Sequence, residues 1–259
     1  MNQTAANSKN VRLIIIVAAL GYFVDIYDLI LFSVIRVKSL KSLGVPDSDL
    51  LDVGTMLINS QMFGMLIGGI LWGILGDKRG RISVLFGSIL LYSLANLANG
   101  FVTSVPAYAV IRFIAGIGLA GELGAGITLV TETMSKENRG YGTMIVAGVG
   151  LLGAVAAALV GEHYAWETSY IIGGVMGLLL LGLRVGLAES GMFKNLKDDG
   201  ISRGNIFMLF NDGPRFRKYL SCILIGIPLW FVVGVLVTFS PEFGKELNAT
   251  APLSAGTGI

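Results

Sequence analysis

Seven runs of about 20 mostly apolar residues follow one another along the chain, and each is long enough to cross a bilayer as a helix. They cover residues 11–35, 53–75, 82–102, 106–132, 141–162, 166–188 and 219–240. Only 14% of the 259 residues are charged, whereas soluble domains carry about a quarter. Because backbone polar groups in lipid must be satisfied within the chain, we expect helices. The sequence therefore predicts an all-α membrane protein.

Lysine and arginine residues are distributed unevenly among the predicted loops. We assign 14 of the 19 to one side of the membrane and 4 to the other, with Arg112 inside a run. This assignment places Arg184 in the loop after the sixth run and Arg36 in the loop after the first. Since cytoplasmic loops carry an excess of Lys and Arg, we expect a multi-pass protein of the cell inner (plasma) membrane with a cytoplasmic N-terminus.

The spacing of the runs suggests how the chain is organised. Six runs are joined by short loops, and a long polar, basic stretch separates them from the seventh. We therefore expect an N-terminal six-helix transmembrane bundle over residues 1–188 and a cytoplasmic linker over 189–218. Residues 219–259 are expected to form the first helix of a second bundle and an outer tail.

A charged turn joins the second and third runs and reads GILGDKRGR from Gly73 to Arg81. Gly76 and Gly80 allow a tight reversal of the chain. Asp77 can cap the start of the following helix and complement its dipole. At this spacing the turn resembles the G-x-x-x-D-x-x-G-R loop of the major facilitator superfamily.

The fourth run carries a second resemblance to that superfamily. It contains RFIAGIGLAGELGAG and closes with ETMSKENRG, from Glu132 to Gly140. This is similar to the fourth span of the sugar-porter and metabolite–proton symporter branches, which have an Arg followed by G-x-G-x-x-G-E and then E-x-x-P-x-x-x-R-G. Ser135 stands where the family usually has Pro. The stretch from Leu187 to Phe193 resembles the P-E-S-P-R-F run that ends the sixth span, without its two prolines.

The G-x-G-x-x-G within the fourth run also fits a dinucleotide-binding fingerprint, but that reading needs a strand before it. In an apolar helix the glycines instead allow neighbouring helices to approach closely. The family resemblance implies the six-helix N-terminal bundle of a major-facilitator fold plus a seventh transmembrane helix. It also implies a cytoplasmic gate at Gly73, Gly76, Asp77, Arg79, Gly80, Arg81, Glu132 and Arg139. Within this gate, Glu132 is expected to pair with Arg81 or Arg139, or to be a simple interfacial anchor.

The first run contains two carboxyls, Asp25 and Asp28, within GYFVDIYDLILF. A charged carboxylate near mid-membrane costs about 2.5–3.5 kcal/mol on insertion scales, so such residues face a cavity, are paired or bind a proton. At about 1.5 Å per residue, Asp28 in the first run and Arg112 in the fourth lie at similar depth. We therefore expect them to meet. A carboxyl beside Arg stays ionised and takes up a proton when moved away, which would couple proton movement to conformation.

The resemblance supports this role, because proton-coupled sugar porters have a G-Y-D in span one and an Arg opening span four. Here the triplet is Ile26-Tyr27-Asp28, so the Gly is missing. The alternative is a static buried ion pair that fixes helix packing. We predict Asp28, Arg112 and Asp25 as the proton-coupling residues.

Substrate contacts are predicted at Tyr22, Asp25, Glu122 and Trp230. Asp25 can bind substrate, form a second proton site or lie in the outer vestibule. Glu122, near the middle of the fourth run, can contact a cationic substrate, relay a proton or stay protonated and hydrogen-bonded between helices. The sequence leaves these alternatives open.

The resemblance implies a secondary active transporter that takes up a small polar metabolite, such as an organic acid, osmolyte or sugar, together with a proton. The expected partners are that substrate, the proton, the lipid bilayer and a second bundle, either in the same full-length chain or in a partner chain. The alternative is a non-transporting membrane assembly or sensor subunit derived from a truncated transporter. We expect no enzyme activity, cofactor, metal or nucleic acid partner, because the sequence shows no metal cluster, nucleophile–base pair or phosphate loop.

Overall fold

The computed structural model of the protein describes residues 2–134, 138–188, 204, 207 and 210–248. These residues form helices and no strand. In chain order the helices are α1 (Asn2–Ser42), α2 (Leu50–Arg79), α3 (Arg81–Asn99), α4 (Val105–Thr133), α5 (Arg139–His163), α6 (Trp166–Ala188), α7 (Gly213–Phe231), a π-helical segment (Val232–Val237) and α8 (Ser240–Glu246).

Each of the seven apolar runs corresponds to one of the helices α1 to α7, which confirms the predicted all-α membrane protein. In the described part of the chain, six helices are long and apolar enough to span a bilayer, and α3 contributes a shorter apolar segment, Ser83–Asn99. Large apolar side chains such as Phe63, Leu151 and Leu179 are exposed on α2, α5 and α6. Lipid is the solvent that suits such a surface.

Helix α1 lies at the centre of the bundle. It packs along α5 and also contacts α4 and α6, while α2 packs on α4, and α3 packs on α4 and α6. The side chains of Val24, Tyr27, Leu31 and Ile35 are buried at helical spacing along α1. Because α1 is covered on several sides, its polar residues Asp25 and Asp28 are also held inside protein.

Glycines bring α4 close to two neighbouring helices, as the sequence predicted. A Cβ added to Gly118 would lie 2.6 Å from the backbone nitrogen of Tyr92 in α3. A Cβ on Gly68 of α2 would lie 2.7 Å from the Cα of Ile117 in α4. The G-x-G-x-x-G of α4 is therefore a helix-packing motif that lies inside a continuous helix.

The turn between α2 and α3 is tighter than predicted. Helix α2 continues through Gly76 and Asp77 to Arg79, and the only residue between the helices is Gly80, with φ +88°. Gly80, and not Asp77, occupies the N-cap position of α3. A single left-handed glycine suffices to reverse the chain, because glycine adopts positive φ without a steric penalty.

Two predicted boundaries also differ from the structure. Helix α1 extends to Ser42, so Arg36 and Lys38 belong to the helix and not to the following loop. Helix α7 begins at Gly213, within the predicted linker 189–218, where its first turns carry the basic residues Arg215 and Arg217. Most of the remaining linker lies outside the described residues.

Adjacent glycines on α2 offer a matched test of the α2–α4 contact. We expect Gly68→Ala to lower the thermal unfolding temperature of the full-length protein in detergent, because the new Cβ would collide with the backbone at Ile117. Gly69 has open space around its Cβ position. Gly69→Ala is expected to leave stability unchanged or raise it by up to about 1 kcal/mol through helix propensity. Equal effects of both substitutions would contradict this packing.

Candidate functional site: buried charges between α1, α3, α4 and α6

Asp25 and Asp28 occupy one face of α1, three residues apart. Their exposed fractions are only 6% and 1%, and none of their four carboxyl oxygens has a hydrogen-bond partner. The Asn96 amide lies close enough to Asp28 to donate to it after a small adjustment, and Arg112 acts on Asp28 through its charge. Helix α6 comes close at Gly173, where a Cβ would lie 2.6 Å from Asp28 Oδ1. The bundle therefore buries two acidic side chains that accept no well-formed hydrogen bond.

The guanidinium of Arg112 is 1% exposed and has partners other than Asp28. Its Nη2 donates to Oε1 of Gln61 in α2, and its Nη1 donates to the Tyr170 hydroxyl at 3.4 Å. It also lies over the ring of Phe32, 4.3 Å from the centroid. The expected direct contact with Asp28 is not formed in this conformation. The sequence predicted that the two residues lie near each other, but nothing in it indicated Gln61 as a partner.

Glu122 in α4 and Arg184 in α6 form a buried two-pronged ion pair. Arg184 Nη1 donates to Glu122 Oε2 at 2.8 Å, and Nη2 donates to Oε1. Arg184 Nη1 also reaches the Leu85 carbonyl of α3 at 3.1 Å, and Ser88 lies 3.5 Å from Glu122 Oε2. The assignment of Arg184 to a cytoplasmic loop is therefore wrong. None of the three roles left open for Glu122 included this pair.

Helix α3 contributes a stripe of buried polar side chains to the same region. Tyr92, Asn96 and Asn99 are at most 1% exposed, and the Tyr92 hydroxyl, the Asn96 amide nitrogen and both side-chain polar atoms of Asn99 have no hydrogen-bond partner. Their spacing of four and three residues puts them on one helix face. The sequence YSLANLAN carries that spacing, and it was the available signal for these residues.

A second ion pair, buried on its arginine side only, joins α1 to α8. Arg36, fully buried, donates from Nη2 to Oε1 of Glu242, and its guanidinium lies 5.0 Å from the Phe239 ring centroid. One turn earlier on α1, the hydroxyls of Ser33 and Thr238 are 2.8 Å apart. We call this set the α1–α8 contact. The assignment of Arg36 to an outer loop is therefore wrong.

The remaining predicted substrate residues are not in this buried cluster. Tyr22 is half-buried on α1 and packs where a side chain on Gly150 of α5 would collide with its ring. Trp230 is 42% exposed on α7, two residues after Pro228. Glu122 is in the cluster, but Arg184 occupies both of its oxygens.

The predicted gate residues lie at the α2–α3 turn and the start of α5. Gly73, Asp77, Arg79 and Arg139 are exposed, and Gly76 is buried. The side chains of Arg81 and Glu132 fall outside the described part of the chain, so the pairing of Glu132 with Arg81 or Arg139 stays a prediction.

Comparison with known proteins decides the family. The sequence profile of the Major Facilitator Superfamily matches residues 16–259, nearly the whole chain. The chain belongs to the Major Facilitator Superfamily. The motifs on α2 to α4 that resembled this superfamily are thereby explained, and the chain belongs to a family of transporters, not enzymes.

Among curated relatives, the sialic acid transporter NanX of Escherichia coli is 30% identical over 250 residues, covering 93% of this chain and 60% of that protein. The 3-(3-hydroxy-phenyl)propionate transporter of Escherichia coli is 32% identical, covering 54% and 36%. The niacin transporter NiaP of Acinetobacter baylyi is 29% identical, covering 61% and 36%. The chain thus spans between 36% and 60% of these relatives' lengths.

Among solved structures, the inward-open conformation of the Escherichia coli xylose transporter XylE superposes with a TM-score of 0.64. Sequence identity is 18%, and the match covers 84% of this chain and 56% of XylE. At this identity the similarity shows the fold, which is the predicted major-facilitator bundle.

The α1–α8 contact can be compared with an exposed ion pair near the same end of α1. We expect Glu242→Gln to lower stability by about 1–3 kcal/mol, because it leaves the buried Arg36 charge without its carboxylate. Asp47 pairs with Lys41 at 2.8 Å, and both side chains are mostly exposed. That lysine holds the pKa of Asp47 below its usual range. Asp47→Asn should nevertheless leave the unfolding temperature unchanged, because solvent screens the pair. Equal losses in the two variants would show that burial of Arg36 is not the cause.

Proposed function

We propose that this protein, together with a second helical bundle, is a proton-coupled secondary transporter that takes up a small organic carboxylate. The observation that carries the proposal is the burial of Asp25 and Asp28 without any hydrogen-bond partner. Family membership supports transport as the activity, and the lengths of the relatives support the second bundle. Alternating access would rock the two bundles about a central site.

The proton would bind at the unpartnered carboxyls. An ionised carboxylate that is buried without donors is costly, and a bound proton removes that cost. Arg112 would control binding at Asp28, because its guanidinium has two sets of possible partners. While it is held by Gln61 and Tyr170, Asp28 lacks a full counter-charge. If a conformational change moved Arg112 onto Asp28, the carboxyl would release its proton.

We infer the substrate class from a carboxylate group that the substrates named for three relatives have in common. Niacin, sialic acid and 3-(3-hydroxyphenyl)propionate, named for three relatives, all carry a carboxylate. A monoanion moving with one proton crosses the membrane as a neutral pair, so uptake would not oppose the membrane potential. Tyr22 and Trp230 are accessible enough to contact such a substrate. Glu122 is assigned away from substrate contact, because Arg184 already engages its oxygens.

The corrected charge distribution supports a cytoplasmic N-terminus in the inner membrane. With the two buried arginines Arg184 and Arg36 set aside, 13 basic residues remain on the predicted inner side and 3 on the outer side. This bias is stronger than the uncorrected one and fits the positive-inside rule. The α2–α3 turn and the start of α5 would then form the cytoplasmic gate.

Transport can be tested with the full-length protein in proteoliposomes that are acidic outside. Radiolabelled niacin, sialic acid and 3-(3-hydroxyphenyl)propionate are the probes. We expect accumulation of at least one of them against its gradient. Asp28→Asn should reduce that accumulation at least tenfold, because the amide cannot exchange a proton at this position.

Asp52→Asn provides the control, since Asp52 is exposed in the first turn of α2. It should accumulate substrate like the wild type. Equal thermal unfolding temperatures would show that the Asp28 variant is folded. Uphill, pH-driven accumulation by a folded Asp28→Asn variant would refute the proton-coupling role. Failure of the wild type with all three probes would refute the proposed substrate class.

A further inference from the structure

The buried ionisable groups in the middle of the bundle do not balance in charge. Within the described residues, three carboxyls and two guanidiniums are buried there, namely Asp25, Asp28, Glu122, Arg112 and Arg184. The other buried arginine, on α1, is neutralised separately in the α1–α8 contact. If all three carboxyls were ionised, the group would carry one net negative charge in a poorly solvated interior. One bound proton makes it neutral, which burial strongly favours.

Glu122 is not the site of that proton. Both of its oxygens accept hydrogen bonds from Arg184, and a planar guanidinium matches an ionised carboxylate in this two-pronged geometry. In contrast, neither Asp25 nor Asp28 has a hydrogen-bond partner. The proton therefore belongs to the two aspartates of α1.

The ion pair lies directly beside these aspartates. A Cβ on Gly21, one turn before Asp25 on α1, would collide with both Glu122 and Arg184. The absence of a side chain at Gly21 lets the pair approach α1. Glu122 and Arg184 both act electrostatically on Asp25.

We propose that Glu122 and Arg184 are a positioning pair whose mutual neutralisation keeps the number of protons held by Asp25 and Asp28 at one. By neutralising each other, they leave the two aspartates and Arg112 to share one proton. This inference rests on the proposed proton coupling and assigns to α4 and α6 a role in its stoichiometry. Neither member of the pair carries the transported proton.

Charged and titratable groups face the two aspartates from α1, α3, α4 and α6. The groups that face them are Tyr22 and Tyr27 of α1, Tyr92 and Asn96 of α3, Arg112 and Glu122 of α4, and Tyr170 and Arg184 of α6. Tyrosine hydroxyls are neutral at pH 7.

The titratable residues of α5 lie near its two ends, at Arg139, Tyr141, Glu162 and His163. The titratable residues of α2 likewise lie in its first and last turns, at Asp52, Asp77, Lys78 and Arg79.

Substitutions in the pair should change the proton count in opposite directions. Glu122→Gln leaves two carboxyls with two guanidiniums, so no proton is needed. Arg184→Gln leaves three carboxyls with one guanidinium, so two protons are needed. The double substitution leaves two carboxyls with one guanidinium and restores the wild-type count of one.

Infrared spectroscopy of the purified full-length protein in lipid at pH 7 measures this count without any substrate. The readout is the C=O stretching band of protonated carboxyls, identified by its shift in D₂O. Relative to wild type, we expect the buried-carboxyl band to disappear in Glu122→Gln, to double in Arg184→Gln and to return to wild-type intensity in the double variant. Arg184→Lys, which keeps the charge, should retain the wild-type band.

Retention of the band in Glu122→Gln, or an unchanged band in Arg184→Gln, would overturn the inference. Either single variant decides the question, so it remains testable if the other fails to fold. A merely structural ion pair would lower stability in both single variants without shifting the band in opposite directions.

Transport separates this inference from the proposed function. Glu122→Gln should lose at least tenfold in pH-driven accumulation of the probe that the wild type transports, and the double variant should regain it. If the wild type accumulates no probe but the bands change as expected, the proton count stands and the proposed substrate class fails. If the wild type accumulates a probe and Glu122→Gln accumulates it equally well, the positioning role fails.

Discussion

Each guanidinium buried in this bundle binds a polar side chain, and the partners that the guanidiniums bind determine which carboxyls have no direct counter-charge. Arg184 engages Glu122 and Arg112 engages Gln61 and Tyr170. Asp25 and Asp28 then remain without donors in the most buried helix. Because charge without a partner is costly in such an interior, proton binding and helix arrangement become linked.

Close helix approach makes this arrangement possible. Gly21 admits the Glu122–Arg184 pair to the surface of α1, and Gly173 of α6 lies against Asp28. Larger residues at these positions would hold the helices apart and leave room for water, which would weaken every electrostatic interaction in the cluster. The glycines of this chain therefore contribute to the electrostatics of the site as well as to its packing.

The sequence predicted the helices well because length and apolar composition reflect a local requirement of the bilayer. It also identified Asp25, Asp28, Arg112 and Glu122, since charged residues inside apolar runs are conspicuous. It misplaced Arg184, which lies near the end of its run, where basic side chains commonly reach toward the interface. Its carboxylate partner, Glu122, lies on another helix and 62 residues away in the sequence. No local sequence pattern predicts a contact at that separation.

The sequence by itself determined that this chain crosses a membrane repeatedly, that its first six helices are joined by short turns and that acidic groups lie inside two of them. Those properties depend on composition and spacing along the chain. Only the tertiary structure decided that Arg112 turns to Gln61, that Arg184 neutralises Glu122 and that Arg36 meets Glu242. Ion pairing depends on which faces of separate helices meet, and that is settled by packing.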